Sequence, residues 1–166
     1  MTRSAILVRS LTPADSEWAA RTLEQTWGSV FVARKGELID VTQHPGFVAT
    51  IDAEPVGLAH MVVRGLEYEV LSLSAFPTGQ GIGRALLSHC VSDARDLGCR
   101  RVWLTTTNNN IRAIAFYQRM GFDLCALHRH GVDVARELKP SIALRDEHGV
   151  RIAHELEFEL LLETRA

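Results

Sequence analysis

Three glycines at alternating positions, Gly79, Gly81 and Gly83, constrain the fold more than any other feature of this sequence. They stand between a β-type run that ends near Ala75 and a helical stripe that begins at Ile82. Glycines at such a junction let backbone N–H groups converge at a helix N-terminus, where the helix dipole favours negative charge. The segment predicts a cradle for a phosphate or pyrophosphate. A turn that serves only helix packing is the alternative.

This cradle differs from the two common nucleotide-binding loops. A dinucleotide fingerprint lies in the first strand–helix unit and needs an acidic residue about 20 positions later, whereas three consecutive predicted strands with no helix between them lead directly into this loop. A P-loop needs Gly-Lys followed by Ser or Thr, and residues 79–87 contain no lysine. The pattern therefore disfavours a nucleotide-binding α/β protein.

The hydrophobic periodicity predicts an α/β (α+β) chain with a mixed sheet and helices on both faces. Predicted strands span residues 6–8, 47–51, 55–63, 68–75, 101–107, 122–127 and 154–162, and predicted helices span 12–27, 82–97, 110–120 and 131–138. The three strands between residues 47 and 75 indicate an antiparallel meander. We interpret residues 29–43 as a mixture of turn and short helix.

Length and composition restrict the class of protein. A chain of 166 residues is about one domain, so we predict a single domain over residues 1–166. The 18 basic residues nearly balance the 20 acidic ones, which disfavours a nucleic-acid partner. Three cysteines are too few for a disulfide scaffold, and no apolar run approaches the roughly 18 residues of a membrane span. We predict a cytoplasmic protein that binds neither nucleic acid nor membrane.

A second motif spans residues 110–122 and reads NIRAIAFYQRMGF. Asn110 and Tyr117 are seven residues apart, which places them on one face of a helix. We expect Asn108 or Asn109 to cap that helix. A tyrosine hydroxyl is protonated at neutral pH and can donate a proton to a leaving group. An ordinary core tyrosine is the alternative.

Together the two motifs resemble those of the GNAT family of N-acetyltransferases. The family's cofactor motif is Gln or Arg, two residues, Gly, one residue, then Gly or Ala, and residues 80–85 (QGIGRA) fit it. A register that starts at Thr78 keeps the glycines but places Thr first. The resemblance covers residues 6–127 and implies a GNAT-type mixed, mostly antiparallel sheet of six to seven strands flanked by helices.

The resemblance also implies how the chain would hold acetyl-CoA. The cofactor would lie where the strand ending at Ala75 diverges from the strand that begins near Arg100. Strand backbone would pair with the pantetheine arm, helix amides would hold the pyrophosphate, and Tyr117 would protonate the departing CoA thiolate. The implied cofactor-binding residues are Leu73, Ser74, Ala75, Gln80, Gly81, Ile82, Gly83, Arg84, Ala85, Asn110 and Tyr117.

An amine acceptor must lose a proton before it attacks a thioester. By strand alternation Glu67, Glu69, Leu71 and Leu73 share one face, so we predict Glu69 as the base, directly or through water, with Glu67 second. Solvated edge charges are the alternative interpretation. A Glu69→Gln change is then expected to lower turnover at neutral pH with little effect on stability.

The expected activity is acetyl transfer from acetyl-CoA to a primary amine by direct attack. An inactive GNAT-like acyl-CoA-binding module is the alternative, and a homodimer is one assembly left open. The acceptor is either a small-molecule amine or a peptide or protein amine, and no feature of the sequence selects between them.

Residues 128–153 carry further candidates. The resemblance places Asp133, Arg136 and Glu137 beside the acceptor, where they are specificity residues or surface charges. His128 and His130 share a face of an extended segment, but no third ligand has matching spacing, so we predict no metal site.

Overall fold

A seven-stranded mixed sheet forms the centre of the protein, for which a computed structural model describes residues 5–163. The strands are β1 (Leu7–Ser10), β2 (Phe31–Arg34), β3 (Glu37–Asp40), β4 (Gly46–Ile51), β5 (Glu54–Arg64), β6 (Glu67–Ala75), β7 (Arg101–Thr107), β8 (Asp123–His128) and β9 (Glu155–Leu161). The helices are α1 (Ser16–Trp27), α2 (Ile82–Asp96), α3 (Ile111–Arg119) and α4 (Gly131–Leu138).

The strand order in the central sheet is β1-β4-β5-β6-β7-β9-β8, and β2 and β3 form a separate hairpin. All neighbours in the central sheet are antiparallel except β6 and β7, which run parallel. The predicted fold class and the meander of β4, β5 and β6 are therefore confirmed.

The helices cover opposite faces of the sheet. Helix α2 packs across β4, β5, β6 and β7 through a stripe spaced by four residues: Ile82, Leu86, Cys90 and Ala94, all buried. Residues of α3 pack against the same core, so we call this side the α2 face. A second core on the other side contains Ala19 and Leu23 of α1, and we call that side the α1 face. The β2–β3 hairpin contacts α4.

The interpretation of residues 29–43 was wrong for residues 31–40, which form the β2–β3 hairpin. Lys35 and Gly36 both adopt left-handed conformations, with φ of 47° and 75°, and make the two-residue turn that right-twisted strands favour. Each strand has only four residues, too few to show a clear alternation in sequence. The helical part of the prediction corresponds to a 3₁₀ turn at Val41–Gln43.

A β-bulge in β6 changes which side chains share a face. His60 pairs with Ser72, but Met61 pairs with Val70, so Leu71 is an extra residue in β6. As a result Leu71 packs in the core of the α1 face, whereas Leu73 packs against the core of the α2 face. The expectation that Leu73 shares a face with Glu69 was wrong for this reason.

Three negative findings apply to residues 5–163. None of their helices combines the length and apolar character needed to cross a bilayer. Their three cysteines are free, with Cys90 and Cys99 buried and Cys125 exposed. No group of three His, Cys, Asp or Glu side chains in this range is arranged to hold a metal ion.

Candidate active site

The parallel strands β6 and β7 diverge along the sheet and leave a wedge-shaped gap between them. The two strands pair only from Glu67↔Arg101 to Glu69↔Trp103, after which β6 and β7 separate. Between Val70 and Ala75 the edge of β6 that faces β7 therefore has no strand partner. The predicted pantetheine-binding residues Leu73, Ser74 and Ala75 lie on this edge. The Ser74 hydroxyl accepts a hydrogen bond of 3.2 Å from Nε1 of Trp27 on the α1 face.

Free backbone amides lie at the start of α2. The first intrahelical bond runs from the N–H of Ala85 to the carbonyl of Gly81, and no side chain caps the helix. The N–H groups of Ile82, Gly83 and Arg84 are therefore available to a ligand. Gly81 has a φ of 87°, the left-handed conformation that lets the chain turn into the helix. The geometry fits the predicted anion cradle.

Gly83 has room beside it for a ligand. A Cβ built there would lie 3.6 Å from Cζ of Phe116 and 3.8 Å from Cβ of Ala75, which are ordinary contacts. This position faces the gap between the end of β6 and α3. The start of α2 therefore lies next to Ala75, the last residue of the open edge of β6.

Helix α3 forms the wall of the wedge on the α2 face. Its cap is Asn110, whose Oδ1 accepts a bond of 3.2 Å from the N–H of Ala113, so the prediction of Asn108 or Asn109 as the cap was wrong. Asn108 instead contacts the residues just before β9. Its Oδ1 accepts hydrogen bonds from the N–H groups of Ala153 and His154. The Asn109 side chain accepts from Thr107.

Tyr117 is partly buried in an aromatic cluster. Its ring centroid lies 5.4 Å from that of Phe116, 6.3 Å from Phe122 and 5.8 Å from Phe158. No residue between 5 and 163 hydrogen-bonds its hydroxyl, and the hydroxyl oxygen itself is not fully buried. Burial raises the pKa of Tyr117 to about 12, so the phenol is protonated at neutral pH.

Glu69 lies on the α1 face in a buried ion pair. Both of its oxygens accept hydrogen bonds from Arg34: Oε1 from Nε, and Oε2 from Nη2 at 2.6 Å. The side chains of Glu69 and Arg34 are only 3% and 5% exposed. Glu67 is half exposed and lies 3.4 Å from Arg101. The structure thus ties both predicted base candidates to arginines.

A charged cluster on the α1 face beside the wedge was not predicted from the sequence. Lys35 at the hairpin tip bonds Glu157 at 3.0 Å and lies 4.7 Å from the ring centroid of Trp103. His128 and Arg101 also bond Glu157. Burial alone would raise the pKa of Glu157, but these three partners lower it to about 2. No sequence signal links these residues, which come from four separate segments.

The predicted specificity residues have different environments. Arg136 donates to the carbonyls of Ile142, Ala143 and Ile152, so it holds the long connection before β9. Asp133 binds His130, Arg136 and Arg151, and these partners lower its pKa to about 2. Glu137 makes no ion pair within the described residues. His128 and His130 are bound to different carboxylates rather than paired.

Comparison with known proteins identifies the family. The family model described as the acetyltransferase (GNAT) family matches residues 13–122. The chain belongs to the GNAT family. A GNAT fold is also supported by an acetyltransferase of Bacillus subtilis solved in complex with CoA, which superposes with a TM-score of 0.71 over 97% of this chain and 100% of its own at 17% identity.

Two relatives illustrate how this GNAT chain compares in sequence. The Bacillus subtilis protein YdhI, which is described as uncharacterized, is 33% identical over 138 residues, covering 82% of this chain and 86% of YdhI. Streptothricin acetyltransferase of Streptomyces lavendulae is 42% identical over 62 residues, covering 37% of this chain and 33% of that enzyme.

Proposed function

We propose that this GNAT protein transfers an acetyl group from acetyl-CoA to a primary amine. The position of the free α2 amides next to the unpaired edge of β6 is the observation that carries the proposal. Acetyl-CoA, when bound, supplies the thioester carbonyl that the amine attacks. The CoA complex of the structural neighbour supports this choice of donor.

The residues present fit the donor. Amides of Ile82, Gly83 and Arg84 at a helix N-terminus suit a pyrophosphate. The unpaired edge of β6 suits the amide groups of a pantetheine arm. The remaining predicted contacts, Gln80, Gly81, Ala85 and Asn110, lie at the same cradle or at the cap of α3.

A negative charge at Gly83 is expected to weaken CoA binding. Gly83→Asp adds a carboxylate where the cradle faces the wedge, and we expect the affinity to fall by at least about 2 kcal/mol, or roughly thirtyfold in Kd. Titration calorimetry with CoA measures this. The matched control is Gly83→Ala, which adds the Cβ without the charge and is expected to bind much more tightly than Gly83→Asp. Equal Kd values for Gly83→Asp and wild type would place the cofactor elsewhere.

Tyr117 is proposed as the acid that protonates the CoA sulfur. Its hydroxyl makes no hydrogen bond within residues 5–163 and can therefore donate its proton to a ligand, which supports an enzyme rather than an inactive acyl-CoA-binding module. The proton acceptor predicted from the sequence is less well supported. Protonation of Glu69 would remove the charge that attracts Arg34 and weaken the two hydrogen bonds between them. Glu69 is therefore better suited to holding Arg34 and the hairpin in place.

The test is CoA release from acetyl-CoA with a panel of amines. Spermidine, L-lysine, a peptide with an N-terminal alanine and streptothricin represent the polyamine, amino-acid, protein and antibiotic classes. Amine-dependent release of CoA with the matching acetylated product supports the proposal. CoA binding without release for every amine, at concentrations that saturate the cofactor site, would favour the binding module.

A further inference from the structure

The α1 face next to the wedge carries five glutamates, and four of them have a cationic partner. Glu69 binds Arg34, Glu67 and Glu159 lie within 3.4 Å and 2.6 Å of Arg101, and Glu157 binds Lys35, Arg101 and His128. The fifth is Glu155, which is 3% exposed and, within residues 5–163, makes no ion pair.

Glu155 has acceptor capacity that the fold leaves unused. Its two oxygens share a single donor, the backbone N–H of Lys35, at 3.2 Å and 3.0 Å. An ionised carboxylate can accept about four hydrogen bonds, and a buried one normally has a cation in contact. The nearby side chains of Arg34, Lys35 and His128 are each bonded to other carboxylates.

The register places Glu155 beside the wedge. It lies directly opposite Thr107 on β7 and diagonally from Thr105, past the point where β7 separates from β6. Gly131, the first residue of α4, lets the helix backbone approach the carboxylate closely, because a Cβ there would lie only 3.1 Å from Oε2 of Glu155. The carboxylate thus lies next to the diverging end of β7 and lacks a cationic donor within residues 5–163.

We propose that Glu155 receives the ammonium group of the acceptor and takes its first proton. This inference rests on the proposed acetyl transfer and names its base. The ammonium N–H bond breaks and the proton moves to Glu155. The free amine then forms the C–N bond as the C–S bond breaks. Tyr117 gives its proton to sulfur and regains the second proton of the amine, and Glu155 returns its proton to water after product leaves.

The electrostatics of Glu155 support this role. Burial raises its pKa, against the lowering effects of the Lys35 amide and of the charges on His128, Arg34 and Lys35. A raised pKa makes the carboxylate a better proton acceptor. A raised pKa also means that the ionised carboxylate lowers the stability of the folded protein at pH values above the usual pKa of a glutamate.

The test compares Glu155→Gln with the matched control Glu159→Gln, on the same strand and face. The probe is whichever of the four panel amines releases most CoA. For Glu155→Gln we expect kcat/KM to be about 10²-fold lower near pH 7 and then to rise roughly tenfold per pH unit up to the pKa of the amine, because the variant must use amine already deprotonated in solution. Wild type and Glu159→Gln are expected to show the shallower profile.

Thermal stability and CoA binding separate this role from a structural one. The Tm of Glu155→Gln near pH 7 is expected to match or exceed that of wild type, since the amide removes a charge that the folded state disfavours, and the Kd for CoA is expected to stay unchanged. A lower Tm with a uniform loss of kcat/KM across about pH 6 to 9, or kcat/KM equal to wild type, would overturn the inference and leave acetyl transfer intact. No CoA release by wild type with any panel amine would overturn both.

Discussion

Replacing Glu69 with glutamine is expected to lower the free energy of unfolding by about 3 kcal/mol. The change leaves Arg34 buried without its bidentate carboxylate, and stranding one member of a buried pair is much costlier than losing an exposed pair. Arg34 keeps its bond of 2.7 Å to Glu37, which places the expected loss at the low end of the usual range. Chemical denaturation measures the free energy directly, and Tm should fall by roughly 6 to 12 °C.

Glu67→Gln is the matched control for this stability effect. It lies on the same strand, but its side chain is half exposed and its distance to Arg101 is 3.4 Å. We expect a change of less than about 1 kcal/mol. If Glu69→Gln proves as stable as wild type, the buried pair with Arg34 does not form in solution. From the sequence alone, Glu69→Gln was expected to change stability little, because glutamine and glutamate have nearly the same shape.

Tyr117→Phe is expected to reduce turnover by about 10²-fold while CoA affinity changes little. The phenylalanine ring keeps the packing against Phe116, Phe122 and Phe158 and removes only the hydroxyl, which has no partner within residues 5–163. Without that proton the CoA thiolate must leave as an anion or take a proton from water. Steady-state kinetics with the best panel amine, together with CoA calorimetry, test this expectation.

Tyr68→Phe controls for the loss of a tyrosine hydroxyl elsewhere. Tyr68 is fully buried and donates a bond of 3.0 Å to Asp93 of α2, away from the wedge. We expect its removal to affect stability but not turnover per folded molecule. Wild-type turnover in Tyr117→Phe would show that Tyr117 only packs in the core.

Much of the architecture is local enough to be predicted from the sequence. The strand over residues 101–107 and the helix over 131–138 have the same bounds in the structure, because apolar periodicity and flanking glycines act within a few residues. The cradle at residues 79–85 was likewise predictable, since a helix start with glycines determines where its own amides point. The glycine-rich segment is also one of the two motifs that resemble those of the GNAT family, and that resemblance implied the fold.

The bulge at Leu71 marks the limit of that reasoning. An extra residue in β6 changes the face of every later side chain in the strand, yet only its pairing with β5 shows where the register shifts. The need for glycine at position 57 was also not predictable from the sequence. A Cβ there would lie 2.6 Å from Ile82, and this close approach of β5 to α2 depends on tertiary packing.

By itself the sequence determined the order of the elements outside residues 29–43, the glycine-rich start of α2 and the position of Tyr117 on its helix, because each depends on neighbours within one or two turns of chain. Only the tertiary structure decided the charge partners on the α1 face. Glu69 meets Arg34 from 35 residues away, and Glu155 meets Lys35 from 120 residues away. Whether a carboxylate can take a proton depends on which charges surround it in space, and sequence spacing carries no information about contacts of that range.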